Sequence, residues 1–106
     1  MTTGDLSGNY GISELFLAIK IVFGDEILIR IKSKSYTQSD MVARKVFSVI
    51  LMTEFGLSDN GVASLIGRNR TTVINYRKSF MDWERYDKKF SELLKSVKYQ
   101  AGVLHE

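Results

Sequence analysis

Residues 57–78, LSDNGVASLIGRNRTTVINYRK, constrain this chain more than any other stretch, because they spell a helix, a tight turn and a second helix. Ser58 is a helix N-cap type, whose side-chain oxygen accepts from an otherwise orphaned backbone N–H. Val62, Leu65 and Ile66 recur at helical spacing, and Gly67 provides a left-handed stop. The chain restarts at Arg68-Asn69-Arg70-Thr71-Thr72, and Val73, Phe80 and either Tyr76 or Ile74 give the second helix its inner face. Arg68, Arg70, Arg77 and Lys78 lie in this stretch with no acid between the first and the last. A helix buried on one side, with Arg and Thr at its N-terminal end, suits the major groove of duplex DNA.

Helical periodicity extends to the rest of the chain. Ile12, Leu15, Phe16, Ile19, Val22 and Phe23 form an apolar stripe for a first helix that begins near Ser13 and closes at Gly24. Residues 25–31 admit two readings: Ile27, Ile29 and Ile31 alternate like a strand, whereas Ile27, Leu28 and Ile31 fit a short helix. A lone strand has no partner here, so one or two helical turns are expected. Ser39 or Asp40 is placed to cap a long helix running to about Phe55. Val42, Val46, Val49, Ile50 and Thr53 share one face of it, and Phe47, Leu51 and Met52 widen the apolar arc, so this helix should be central. A last helix near residues 87–99 carries Phe90, Leu93, Leu94 and Val97, with Trp83 and Tyr86 in the connection before it. Residues 1–10 read as a loose polar leader and 100–106 as an unpatterned tail, leaving 11–99 as the folded unit. The 106 residues contain no proline, so helices meet few breaks, and one domain can close a core without staples. The expected fold is all-α, a compact bundle of five to six helices that contains a helix-turn-helix.

The formal net charge is only +3, and its distribution says more than its size. Arg30, Lys32, Lys34, Arg44 and Lys45 are opposed by a single acid, Asp40, while the segment after Met81 mixes signs. The positive excess gathers in two places, as a phosphate-tracking surface requires. Other chemistries find little support. Cysteine is absent, which removes disulfides, thiolate metal sites and cysteine nucleophiles. The sole histidine, His105, is the next-to-last residue of the sequence, so neither a transition-metal site nor a cofactor is expected. Asp82, Glu84 and Asp87 sit beside cations on a polar connection, not as carboxyls tuned apart in a pocket, and no nucleophile–base set is present. The aromatic residues are scattered and form no stacking platform for single strands. Residues 15–22 are apolar but short and carry Lys20, which indicates a core helix and neither a membrane span nor an export signal. The expected setting is the cytoplasm, with the nucleoid.

Several segments resemble a known family. ISELFLAIKIVFG is similar to the opening amphipathic helix of the C-terminal DNA-binding domain of DnaA, the bacterial chromosomal replication initiator. IKSKSY is similar to that domain's basic Ser-Lys-Ser loop, ARKVFSVILMTEFGLS to its long helix and the start of the next, and GRNRTTVINYRK to its signature segment. The resemblance implies a helical bundle akin to the Trp repressor. It also implies that Asn69, Arg70 and Thr71 touch base edges in the major groove, and that Arg44 reaches into the minor groove. Ser58, Thr72 and Asn75 then meet phosphates, and Arg68 is the signature arginine that shapes the turn and joins the phosphate-facing set. Lys78 is expected to hold a phosphate, and the Lys32–Lys34 loop, with Lys34 as a phosphate contact, to approach the flanking backbone or the minor groove.

Two departures bear on specificity. Only Gly67 precedes the signature arginine where the family usually has two glycines, and an Asp-His pair is replaced by Asn69-Arg70. Asn favours adenine and Arg favours guanine, so the standard initiator box is not expected to be read with full affinity. No Gly-x-x-x-x-Gly-Lys-Ser/Thr segment is present for ATP, which points to the DNA-reading end of an initiator used as a separate module, in replication, transcription or a mobile element. The expected partner is double-stranded DNA, with a homodimer or a replication or transcription protein adding affinity. The competing expectation is a protein-docking module on the same scaffold. The two part on whether the basic segments share one side of the folded domain.

Overall fold

A computed structural model of the chain describes residues 10–105. Six helices account for most of them: α1 (Ile12–Phe23), α2 (Ile27–Lys32), α3 (Gln38–Thr53), α4 (Asp59–Ile66), α5 (Arg70–Tyr86) and α6 (Lys88–His105). No strand occurs among the described residues, so the expectation of an all-α bundle holds, and the ambiguous 27–31 region is helical. No helix is long and apolar enough to cross a membrane.

α3 runs through the centre. Val42, Val46, Phe47, Val49, Ile50, Leu51 and Met52 are all buried, while Thr53, expected on the same face, is exposed at the last turn. α1 lays Leu15, Ala18 and Ile19 inward and packs most extensively on α6, which contributes Phe90, Leu94, Val97 and Ala101. Phe47 and Phe90 are each 1% exposed, and cutting either back to alanine would cost about 3–5 kcal/mol through lost burial and the cavity left behind.

Several boundaries differ from the sequence reading. The N-cap of α3 is Thr37, whose hydroxyl accepts from Asp40 N–H at 3.2 Å; Ser39 and Asp40 lie inside the helix. α5 continues through Trp83 to Tyr86, and only Asp87 separates it from α6, with its carboxylate capping Phe90 N–H at 3.1 Å. Trp83 therefore packs from within a helix, edge-on to both Tyr76 and Phe90. α6 takes in the expected tail as far as His105 and buries Ala101. Tyr10, assigned to the loose leader, is 7% exposed and donates its hydroxyl to Glu54, which also pairs with Lys98 at 3.1 Å. The rest of that leader, residues 1–9, lies outside the described part. One aromatic ring with a buried acceptor is enough to anchor Tyr10, a contact no local pattern announces.

Candidate nucleic-acid interface

α4 and α5 are joined by a three-residue turn, Gly67 to Asn69. Ser58 caps α4 by accepting from Gly61 N–H at 3.1 Å, and Gly67 ends it at φ 64°, in the left-handed region. Asn69 caps α5: its Oδ1 accepts from Thr72 N–H at 3.0 Å and from the Thr72 hydroxyl at 3.3 Å. That hydrogen bonding fixes the amide orientation and occupies both lone pairs of the oxygen. The bidentate adenine contact expected of asparagine needs that oxygen free. Asn69 therefore faces a ligand with its NH2 donors only, and the adenine preference inferred from its identity does not follow from this geometry.

Val73 is buried and Tyr76 and Phe80 are half-buried, so the opposite side of α5 is exposed. Thr71, Asn75 and Lys78, at i, i+4 and i+7, share that outer side. Arg70 and Arg77 lie on the flank nearer α4. There a shallow cleft of about 360 Å³ is lined by Ser58, Asp59, Asn60, Arg70 and Arg77. Asp59 pairs with Arg77 across it, 2.8 Å to the guanidinium Nη2 and 2.9 Å to Nε. Eighteen residues separate the two, beyond any helical i,i+4 rule, so sequence spacing gave no sign of the pair. A second cleft of about 390 Å³ is apolar, lined by Phe16, Leu28, Ile29, Phe47 and Leu65 with Lys32 at its edge.

Arg44 is not at the surface. Its side chain is 2% exposed, and its guanidinium donates to the carbonyls of Ile31 at 2.8 Å, Ser35 at 3.2 Å and Arg30 at 3.4 Å. The expected reach into a minor groove is replaced by an internal task. A six-residue helix such as α2 is marginal alone; Ser33 already donates to its Arg30 carbonyl, and Arg44 supplies a donor to that of Ile31, with a cation at the favourable end of the helix dipole. Burial, and then the nearby charge of Arg68, lower the Arg44 pKa. Burial raises the Tyr76 phenol beside them, against the opposing pull of Arg44 and Arg68.

Arg68 is half-buried and also donates inward, to Ser33 O at 2.7 Å and Gly67 O at 3.1 Å, with its guanidinium 5.9 Å from the Tyr36 ring centre. Asp40 completes the local network. Its buried carboxylate accepts from the Ser35 hydroxyl at 2.6 Å and pairs with Arg30 at 3.1 Å. The Ser35 hydrogen bond, followed by those from Thr37 and Arg30, holds the Asp40 pKa below its ordinary value against the effect of burial.

The basic loop after α2 thus lies directly on the α4–α5 turn. Among the described residues, Arg30 and Arg77 are neutralised by carboxylates, Arg44 and Arg68 are spent on carbonyls, and Lys45 sits 4.6 Å over the Trp83 ring. Within the two basic segments, Lys32, Lys34, Arg70 and Lys78 remain exposed with no ion-pair partner, while Arg85, Lys88, Lys89 and Lys95 are likewise exposed and unpaired on the mixed-charge stretch that follows. No group of three or more His, Cys, Asp or Glu side chains that could hold a metal ion occurs among the described residues. Comparison with known protein families, with curated proteins and with solved structures finds no match.

Proposed function

We propose that this domain binds double-stranded DNA through a helix-turn-helix made of α4 and α5, with the first turn of α5 in the major groove. The observation that carries this reading is the docking of the loop after α2 on the α4–α5 turn through Arg68 and Ser33. It brings the two basic segments, far apart in sequence, to one edge. Arg70, Thr71 and the donor face of Asn69 are the base readers. Asn75, Lys78, Lys34 and the exposed hydroxyl of Ser58 face phosphates, which fix register without carrying sequence information. Thr72 contributes through the cap it forms with Asn69. The similarity of the 67–78 segment to the initiator's DNA-binding domain supports the same assignment.

The test is fluorescence anisotropy of the chain on a duplex pool selected from random sequence, against a scrambled duplex, over a salt series. Three unpaired cations set against phosphates, Lys32, Lys34 and Lys78, give an expected slope of about −2.7 in log K against log salt. Tight, salt-dependent binding to the selected pool with weak binding to the scrambled duplex supports the reading. Equal weak binding leaves only an electrostatic surface, and no binding at low salt leaves the basic edge to an acidic protein partner.

A further inference from the structure

Arg44 and Arg68 read from the sequence as DNA contacts, yet both guanidiniums point into the protein. Their acceptors are not scattered: Arg44 holds the carbonyls of Ile31 and Ser35, and Arg68 holds that of Ser33 between them. The stretch carrying Lys32 and Lys34 is therefore tied by alternate carbonyls from two directions, one from α3 and one from the α4–α5 turn. The serine hydroxyls of this loop bond only within residues 30–40, and residues 32–35 carry no apolar anchor, so these local bonds shape the loop without fixing it to the α4–α5 turn. We infer that Arg44 and Arg68 are positioning residues of the interface: they latch the end of α2 and the loop after it to the α4–α5 turn, so that Lys32 and Lys34 form with Lys78 one phosphate-binding edge beside the base-reading Arg70.

The inference rests on the DNA-binding reading and deepens it by dividing the cations into those that touch the ligand and those that place the others. The chemistry of the latch is specific to arginine. The planar guanidinium of Arg68 donates to Ser33 O and Gly67 O at once while lying near Tyr36; a lysine ammonium keeps the charge but has neither the fork nor the flat face. Substituting Arg68→Lys therefore separates the two roles. A mere phosphate contact survives it, and a latch does not.

The experiment combines Arg68→Lys with Lys32→Ala/Lys34→Ala in a double-mutant cycle on duplex DNA. In the native background, removing the two lysines should reduce the salt slope by about 1.8, the contribution of two phosphate contacts. In the Arg68→Lys background the same removal should change the slope by less than about 0.5, because a freed loop no longer presents them. Amide hydrogen exchange gives a second readout without DNA. Arg68→Lys should accelerate exchange at Ser35 and Thr37, whose N–H groups bond to the Ser33 and Ser35 hydroxyls, while amides in the α3 centre stay protected. Equal slope losses in both backgrounds, with loop exchange unchanged, overturn the latch and leave the DNA reading standing. Failure of the native chain to bind duplex overturns the DNA reading itself, and this inference with it.

Discussion

Gly67→Ala should be far more damaging than its chemistry suggests, and Gly56→Ala provides the control. Both glycines adopt left-handed backbone, φ 64° and 62° respectively. An L-residue there costs roughly 1–2 kcal/mol, of which the stiffer unfolded chain returns about 0.4–1 kcal/mol. A Cβ on Gly56 meets nothing within 4 Å, so its net loss should stay near 1 kcal/mol. A Cβ on Gly67 would lie 3.1 Å from Lys32 O and 3.3 Å from Lys32 Cα, inside ordinary contact distance. That backbone cannot yield easily, because Ile31 O on one side is held by Arg44 and Ser33 O on the other by Arg68. Overpacking of this kind adds about 1–3 kcal/mol, for a total of about 2–4 kcal/mol. Thermal denaturation followed by circular dichroism would resolve this, since each 1 kcal/mol moves the midpoint of a domain this size by about 4–8 °C. Equal midpoints for Gly56→Ala and Gly67→Ala would refute the argument. They would mean that the α4–α5 turn does not rest on the end of α2, and with that the single basic edge would dissolve.

Arg44→Met should cost about 3 kcal/mol in urea denaturation, since it strips the donor from the buried carbonyl of Ile31 and the part-buried carbonyl of Ser35; a stability change near zero would show that the guanidinium is not held inside. Asn69→Ala should lose about 1 kcal/mol with the cap while Asn69→Ser loses only a few tenths, and both should weaken one purine preference on selected DNA. Asp59→Asn should leave stability within about 1 kcal/mol, because the Arg77 pair is partly exposed, and should tighten duplex binding by freeing a cation beside the phosphates; unchanged affinity would place Arg77 away from DNA. The pH dependence follows from two groups with opposite signs. Asp40 lies below its ordinary 3.8, so its ionised form favours the fold; that contribution is complete above this value, is lost as pH falls through it, and vanishes in Asp40→Asn. Tyr10 lies above its ordinary 10.0, so its contribution is complete below pH 10, is lost above it, and should be absent from the alkaline limb of Tyr10→Phe.

What the sequence determined by itself was the local grammar of the helices. Ser58 as a cap, Gly67 as a left-handed stop and the apolar stripe of α3 act within one or two turns, and each is where the pattern places it. Local pattern failed where a partner lay far along the chain. Asn69 was legible as an α5 start residue, but the use of its oxygen in the cap, and so the loss of its adenine contact, emerged only with the Thr72 geometry. α2 was legible as one or two helical turns, but the donor to its Ile31 carbonyl is Arg44, 13 residues away, which the sequence suggested only as a minor-groove contact. Tyr10 read as leader because its acceptor, Glu54, is 44 residues away. The cations show the division most clearly. Sequence gives their number and clustering, but a guanidinium takes whichever acceptors the fold brings within about 3 Å. Only the tertiary structure spends Arg44 and Arg68 on carbonyls and Arg77 on Asp59, so that of the two basic segments Lys32, Lys34, Arg70 and Lys78 are left to the solvent without an ion pair.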